Sequence, residues 1–451
     1  MKSVNEKDLK KYSDLAESNN IIDPARFGNY DVKKGLRNSD GTGVLVGLTQ
    51  IGDVHGYIVD ENEKVPVEGR LRYRGIDIKD LTEGFLKDGR FGFEETVYLL
   101  LFGELPRQDE LNSFVNILAE NRKLPKNFIE DMILTAPSSN IMNKLARSVL
   151  AAYSYDDNAE ELTLENCLRQ SIQLISWFPI FVAYAYQAKK HYYENETLFI
   201  HAPDPALSTS ENLLMLIRPD KKYTPVEAEL LDLCLVLHAE HGGGNNSSFS
   251  IHLISSASTD TYSAVAAAIG SLKGAKHGGA NIKVITMLDN IKKNVRDWKN
   301  KEEVYAYLAK IINKKEFDKT GLIYGMGHAV YTYSDPRAVL LKTKARKLAK
   351  LKGLEDEFNL LNLIEELTPS VFADLKGTNK VISANVDFYS GFVYRLLGIP
   401  EDLYTPIFAI ARIAGWSAHR IEESLNGGRI MRPAYKHIKR PGKEFTPISE
   451  R

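Results

Sequence analysis

Cysteine is nearly absent: Cys167 and Cys234 are the only two in 451 residues. They lie far apart, inside segments of helical pattern, so no disulfide framework is expected and a reducing compartment, the cytoplasm, is. An excess of one charge is lacking as well. The 58 basic and 59 acidic residues leave a net charge of -1, whereas a nucleic-acid-binding body carries a strong basic excess. No run reaches the roughly 18 apolar residues that a membrane span needs. The first residues, MKSVNEKDLKKYSDLAES, interleave acids with lysines around no apolar centre, which is expected of neither a secretory signal nor an Arg-rich transit peptide. What remains is ordinary: 43% hydrophobic and 26% charged residues, the balance of a soluble globular chain. The length admits two or three domains, or one large helical body with an insertion.

From Val44 to Tyr73 the residues alternate between GD, HG and EGR breaks, which predicts one or two small hairpins from VLVGLTQI, GYIV and GRLRYRG. Beyond them the pattern is helical. FEETVYLLLFG forms an apolar-faced helix stopped by Gly103, and after Pro106 the residues Leu111, Phe114, Val115 and Leu118 fall at i, i+3, i+4 and i+7. Further helices are predicted at Asn140 to Tyr155, Glu165 to Tyr193, Ser210 to Arg218, Val226 to His238, Tyr262 to Lys273 and Gly279 to Ile291. No fixed-period repeat occurs. Polar passages at Lys292 to Thr320 and Gly353 to Asn385 bracket a helix at Pro336 to Leu351. That change of texture predicts a small domain, residues 280–392, inserted into a large one made of 44–279 and 393–451, with a helical extension over 1–43.

Several polar residues stand where the pattern does not want them. Five of the ten histidines fall between 238 and 328. LDLCLVLHAEHGGGNN surrounds a helix with leucines and delivers His238 and His241 at its end; they either suit the helix C-terminus or face a ligand. A zinc site is not supported, because HxxH lacks the glutamate of HExxH and no cysteine completes it. AVAAAIGSLKGAKHGGAN ends a helix of small residues and presents His277 beside Gly278 and Gly279, open to a ligand or simply to solvent. In IYGMGHAVYTYSDPRA, Asp335 is a natural N-cap, Pro336 sits at the first helical position, and Arg337 opposes the helix dipole; an anionic ligand explains that arginine more easily. In YTPIFAIARIAGWSAHRIEES an apolar helix carries Arg412, which must meet a carboxylate of the protein or of a ligand. Arg429 and Arg432 follow in a basic turn, GGRIMRP. Asp387, in ANVDFYSG, precedes a helical run from Ser390 to Leu397 and is either its cap or a base.

Taken in order, LHAEHGGGNNSS, KGAKHGGAN, YGMGHAVYTYSDPRA, ANVDFYSG, ARIAGW and RIMRP resemble the citrate synthase family, including 2-methylcitrate synthase. GRLRYRGIDIKDL and FEETVYLLLFGELP look like its N-terminal segments, so the likeness spans roughly residues 44 to 440. The resemblance implies a mostly α-helical two-domain fold, a small domain closing over the cleft of a large one, and a homodimer. It implies condensation of acetyl-CoA with oxaloacetate and thioester hydrolysis to citrate and CoA, with acetyl-CoA a substrate and no cofactor or metal. By motif, Asp387 is the base, His277 donates to the enolate oxygen, and His328 polarises the ketone. His238, Arg337 and Arg412 hold oxaloacetate, and Arg432 reaches its carboxylate from the partner subunit.

The chemistry agrees with the residues. A dianion explains arginines in apolar or dipole-opposed places, and a weakly acidic methyl needs a base acting together with a donor at the oxygen. KTKARKLAKLK, with six basic residues at 342 to 352, is either a solvated helix face or a contact for nucleotide phosphates. The glycines of YGMGH permit close approach of a CoA moiety. The chain departs from the family at Gly242 and Ile282, where glutamate is common, and at Ala434, where a second arginine is. Rival readings are a 2-methylcitrate synthase using propionyl-CoA, a metal-dependent hydrolase built on His238, His241, His277 and His328, and a non-catalytic helical interaction protein.

Overall fold

The computed structural model describes residues 6–60, 63–327, 330–377, 381–439 and 445–450; His328 therefore lies outside the described residues. The chain divides into two units, Met1–Leu48 and Thr49–Arg451. The first holds α1 (Glu6–Asn20) and α2 (Ala25–Gly28), and runs a few residues past position 43. The segment VLVGLTQI forms no strand: Leu45 and Leu48 are 83% and 90% exposed. Its alternation has neither a buried face nor a neighbouring strand to satisfy it.

The second unit opens with β1 (Gly52–Asp60), β2 (Glu63–Tyr73) and β3 (Ile76–Asp77) in an antiparallel sheet of order β1-β2-β3. Gly52 pairs with Tyr73 and Val54 with Leu71, while β3 pairs only with Arg72 and Tyr73. Leu71 and Tyr73 point inward and are fully buried. Helices follow: α3 (Ile78–Lys87), α4 (Phe93–Phe102), α5 (Gln108–Glu120), α6 (Ile141–Ala152), α7 (Leu164–Glu194), α8 (Thr209–Ile217), α9 (Pro225–His238), α10 (Asn246–Ser255) and α11 (Thr261–Lys273). Then come α12 (Ala280–Asn294), α13 (Lys301–Ile312), α14 (Pro336–Leu351), α15 (Glu355–Lys376), α16 (Val386–Leu396) and α17 (Tyr404–Asn426). Gly103 ends α4 in a left-handed conformation, φ 89°, as its sequence predicts.

Two helices organise the core. In α7 every residue from Leu174 to Ala188 is buried, and in α17 every residue from Tyr404 to Ile421. A helix enclosed on all sides belongs in the middle of a large body. α17 packs on α4, α7, α9, α10 and α11. Helices α12 to α16 pack among themselves, α12 on α16, α13 on α15, and α14 on both α15 and α16. α14 and α16 also touch α9, which brings the small helical group to the end of a core helix. The architecture is a mostly helical two-domain fold with a minor β-hairpin region.

Two helices, α13 and α15, lie in passages that read as polar, and α10 is a third that the sequence pattern leaves unmarked. α10 follows the Gly-rich turn and is capped by Asn245, which accepts from the Ser247 N–H. α13 buries Val304, Tyr307, Leu308, Ile311 and Ile312, a helical stripe hidden among lysines. α15 buries Phe358, Leu361, Ile364, Thr368 and Val371 and carries Pro369 within it.

Candidate active site

α17 contributes Arg412, which is fully buried. Its Nε donates to the His238 carbonyl at 2.7 Å, and its guanidinium carbon lies 4.7 Å from the Phe408 ring centre. Among the described residues, Nη1 and Nη2 are buried and find no partner, and no protein carboxylate meets them, so the internal salt bridge that the sequence allows is not formed there. Burial pulls the pKa of Arg412 down to about 10, partly offset by Glu240. An uncompensated guanidinium of this kind is costly in the ligand-free state.

His238 ends α9 with its ring stacked on Phe408, centroids 4.4 Å apart. Among the described residues both ring nitrogens are buried without a partner. Burial, then Arg337 and Arg412, hold its pKa well below 6.5. The ring is therefore neutral, which removes the reading of His238 as a cationic cap of its helix. Beyond it the chain turns through Ala239 and Glu240. Glu240 is fully buried, accepts from the Gly242 N–H and contacts His419 Nε2 at 3.0 Å, leaving Oε2 unpartnered. Gly415 admits this turn against α17: a Cβ there would stand 2.5 Å from the Ala239 carbonyl and collide with Glu240 Oε2. Gly242 has φ +82°, a conformation that a glutamate would adopt only under strain, which accounts for that departure from the family. His241 faces Tyr331, ring centroids 5.6 Å apart.

His277 lies in the turn between α11 and α12, half-buried, with Nε2 3.1 Å from Ser247 Oγ. Ser247 is fully buried and also receives Trp416 Nε1 at 3.1 Å, so one hydroxyl joins α10, α17 and the histidine turn. Burial, then Arg412, lowers the His277 pKa to about 4. The ring is neutral at pH 7.

The other wall comes from α14 and α16. Asp335 caps α14 by accepting from the Arg337 N–H at 3.0 Å, and it also grips the guanidinium through Nε at 3.0 Å and Nη2 at 2.8 Å. Arg337 thus has a protein carboxylate, a partner that the sequence reading in favour of an anionic ligand does not include. The same Asp335 accepts from the Val386 N–H at 3.0 Å, one residue before Asp387. Asn385 caps α16, accepting from the Asp387 N–H at 3.0 Å; the cap is Asn385, not Asp387. Gly327 N–H donates to Ser383 O at 2.7 Å and its carbonyl accepts from Asn385 Nδ2, which fastens the residue before His328 to the start of α16.

Among the described residues the Asp387 carboxylate accepts no hydrogen bond. Desolvation raises its pKa to about 6, against the opposing pull of Arg337 and Arg412 and with a push from Asp335. His238, Arg337, Arg412 and Asp387 act on one another electrostatically, and His277 feels Arg412, so these five share one site. Arg432 does not join them within this chain: it is exposed, in the segment after α17. In the basic stretch 342–352, Lys342 pairs with Glu365 and Lys352 with Glu227, so part of it is an ion-paired surface. Among the described residues, His238, His241 and His277 form no converging metal-ligand group.

Asp335, Glu240, Ser247 and His419 escaped sequence reasoning as parts of this neighbourhood. Asp335 was visible only as a cap, and nothing in the local pattern marks a serine or a second glutamate that acts through tertiary contacts.

The fold and the site define a two-domain helical enzyme whose cleft wall sets unpaired cationic and imidazole groups beside one carboxylate of raised pKa. The family described as "Citrate synthase, C-terminal domain" matches residues 39–434. The citrate synthase of Haloferax volcanii is 34% identical over 430 residues, covering 93% of this chain and 99% of that protein. Among solved structures, the citrate synthase of Pyrobaculum aerophilum superposes with a TM-score of 0.74 at 29% identity, covering 90% and 94% of the two chains. That of Thermoplasma acidophilum, solved as a ternary complex with carboxymethyl coenzyme A and oxaloacetate, gives 0.75 at 25% identity, covering 93% and 99%. The chain belongs to the citrate synthase family.

Proposed function

We propose that the chain condenses acetyl-CoA with oxaloacetate and hydrolyses the resulting thioester to citrate and free CoA. The observation that carries this is the set of buried atoms without partners among the described residues: Arg412 Nη1 and Nη2 and both nitrogens of His238. A small dianion with a keto group supplies carboxylate oxygens for the guanidinium and a hydrogen-bond partner for the imidazole. Arg337, although held by Asp335, adds positive charge to the same place. Asp387 takes a proton from the acetyl methyl group, and its raised pKa makes it a stronger base than a solvated carboxylate. His277 donates a hydrogen bond to the enolate oxygen as charge gathers there. The Ser247 hydroxyl, 3.1 Å from His277 Nε2, holds the imidazole in its turn. The enolate carbon then attacks the oxaloacetate ketone, whose oxygen His328 polarises and protonates. Water cleaves the thioester, releasing the CoA thiol.

Helices α12 to α16 form the small domain that closes over the cleft, its limits near 280 and the end of α16; α16 crosses position 392 without a break. The chain works as a homodimer in the cytoplasm, with Arg432 reaching the partner's substrate. Mixing tests this. A hybrid of one Asp387→Asn subunit and one Arg432→Ala subunit holds one intact site if Arg432 acts across the interface, and activity returns. If Arg432 acts within its own chain, both sites stay defective and none returns.

Propionyl-CoA is the alternative acyl donor, since one methylene shifts discrimination by only about 1–3 kcal/mol. Thiol release measured with oxaloacetate and each acyl-CoA decides between them. No release with either donor refutes the proposed activity altogether.

A further inference from the structure

Behind the anion site four side chains form a line: Glu423, His252, His419 and Glu240. His252 Nδ1 is 2.7 Å from Glu423 Oε2, and His419 Nε2 is 3.0 Å from Glu240 Oε1. The two inner nitrogens, His252 Nε2 and His419 Nδ1, face each other at 3.0 Å. A carboxylate only accepts, so each outer nitrogen carries the ring proton of a neutral imidazole. Both inner nitrogens then present lone pairs to each other, an arrangement that holds only with a cation between them. A third acceptor points to the same place. Glu422 Oε2 lies 3.9 Å from His419 Nδ1, on a side chain 10% exposed, and it is buried with no hydrogen-bond partner among the described residues.

We propose that His252 Nε2, His419 Nδ1 and Glu422 Oε2 bind a divalent transition metal of the zinc, cobalt or nickel class. A shared proton answers the two imidazoles but leaves Glu422 Oε2 unsatisfied, whereas a metal answers all three. The three atoms lie within 4.8 Å of one another, and bonds of roughly 2.1 Å span such separations. Two imidazoles and one carboxylate suit these ions better than calcium or magnesium. Each histidine already has the outer carboxylate that orients metal-bound imidazoles. Gly243 keeps one side clear, for a Cβ there would stand 3.5 Å from His252 Nε2. The nearby cation Arg74 is committed elsewhere, donating to the Leu100 carbonyl. The metal ties α10 to α17 and, through His419 and Glu240, braces the turn that carries the anion site; no reaction step passes through it.

The test uses the full chain, stripped with a chelator and titrated with Co2+. One Co2+ per chain is expected, with visible absorption bands and X-ray absorption showing two imidazoles and a carboxylate in the unmutated protein. His252→Gln and Glu422→Gln abolish the signal, Glu423→Gln weakens binding roughly 10–100-fold, and His437→Gln, on the surface, changes nothing. The X-ray absorption measurement needs no variant and decides the matter even where a substitution fails to fold. Absence of stoichiometric binding, an all-oxygen coordination shell, or a signal indifferent to residues 252 and 422 overturns the proposal. So does histidine NMR showing a proton between the rings that Co2+ does not displace.

Discussion

Replacing Arg412 by methionine sets stability against binding. The pKa of this guanidinium falls from 12.5 to about 10 on folding, which corresponds to a penalty on the order of 3 kcal/mol for keeping it charged at neutral pH. Methionine keeps the apolar stem against Phe408 but removes the charge. It also removes the Nε bond to the His238 carbonyl, worth about 1 kcal/mol, so the ligand-free variant gains roughly 2 kcal/mol. At about 2.1 cal/mol/K of unfolding entropy per residue, a chain of this length shifts by approximately 1 °C per kcal/mol. The expected result is a melting temperature about 2 °C above that of the unsubstituted chain. Oxaloacetate reverses the order. At a hundred times its dissociation constant a ligand stabilises by about 2.7 kcal/mol, whereas removing one partner of a buried ion pair costs about 3–5 kcal/mol, a loss of over a hundredfold in affinity. Thermal denaturation of both proteins, with and without oxaloacetate, reads all four states. A ligand-free variant that melts below the unsubstituted chain, or one that oxaloacetate stabilises equally, refutes the reasoning.

Asp387→Asn leaves oxaloacetate affinity within a few-fold of the original by calorimetry while turnover disappears, because an amide accepts no proton. The raised pKa, from 3.8 to about 6, makes the ionised carboxylate a burden on the native state. Its favourable contribution is full below pH 3.8 and is lost as pH rises through 6, so the asparagine variant is the more stable by roughly 3 kcal/mol at pH 7. The advantage fades towards pH 4, as denaturation curves at the two pH values show. With His277 titrating only near pH 4, kcat/KM falls along a single limb below about pH 6 as Asp387 takes up its proton. Gly415→Ala forces the Ala239–Glu240 turn off α17 and destabilises by about 1–3 kcal/mol; an unchanged melting temperature argues that the turn is free to move.

What the sequence reveals follows from where its signals reside. The helix ends at Gly103, Asp335 and His238 are legible because capping is local. α13 and α15 are not, because their stripes of apolar residues are outnumbered by lysines and acids that face solvent. VLVGLTQI alternates like a strand, yet alternation alone supplies no partner. The placement of Arg412 in an apolar helix is readable one residue at a time, whereas its lack of a carboxylate among the described residues is visible only in the structure. Arg337 shows the limit of the same logic. Its carboxylate is two residues away in Asp335, close enough to be read as a cap and overlooked as a partner. The line from Glu423 to Glu240 joins α10, α17 and the turn after α9, and no single stretch of sequence carries it.

Asp335 holds the guanidinium of Arg337 with one set of contacts and the first amide of the Asp387 helix with another. The guanidinium of Arg337 and the helix start that carries Asp387 are therefore riveted to one carboxylate. Neither can be retuned without disturbing its companion. Variation is then expected on the opposite wall, around the Ala239–Gly242 turn, which that carboxylate does not touch.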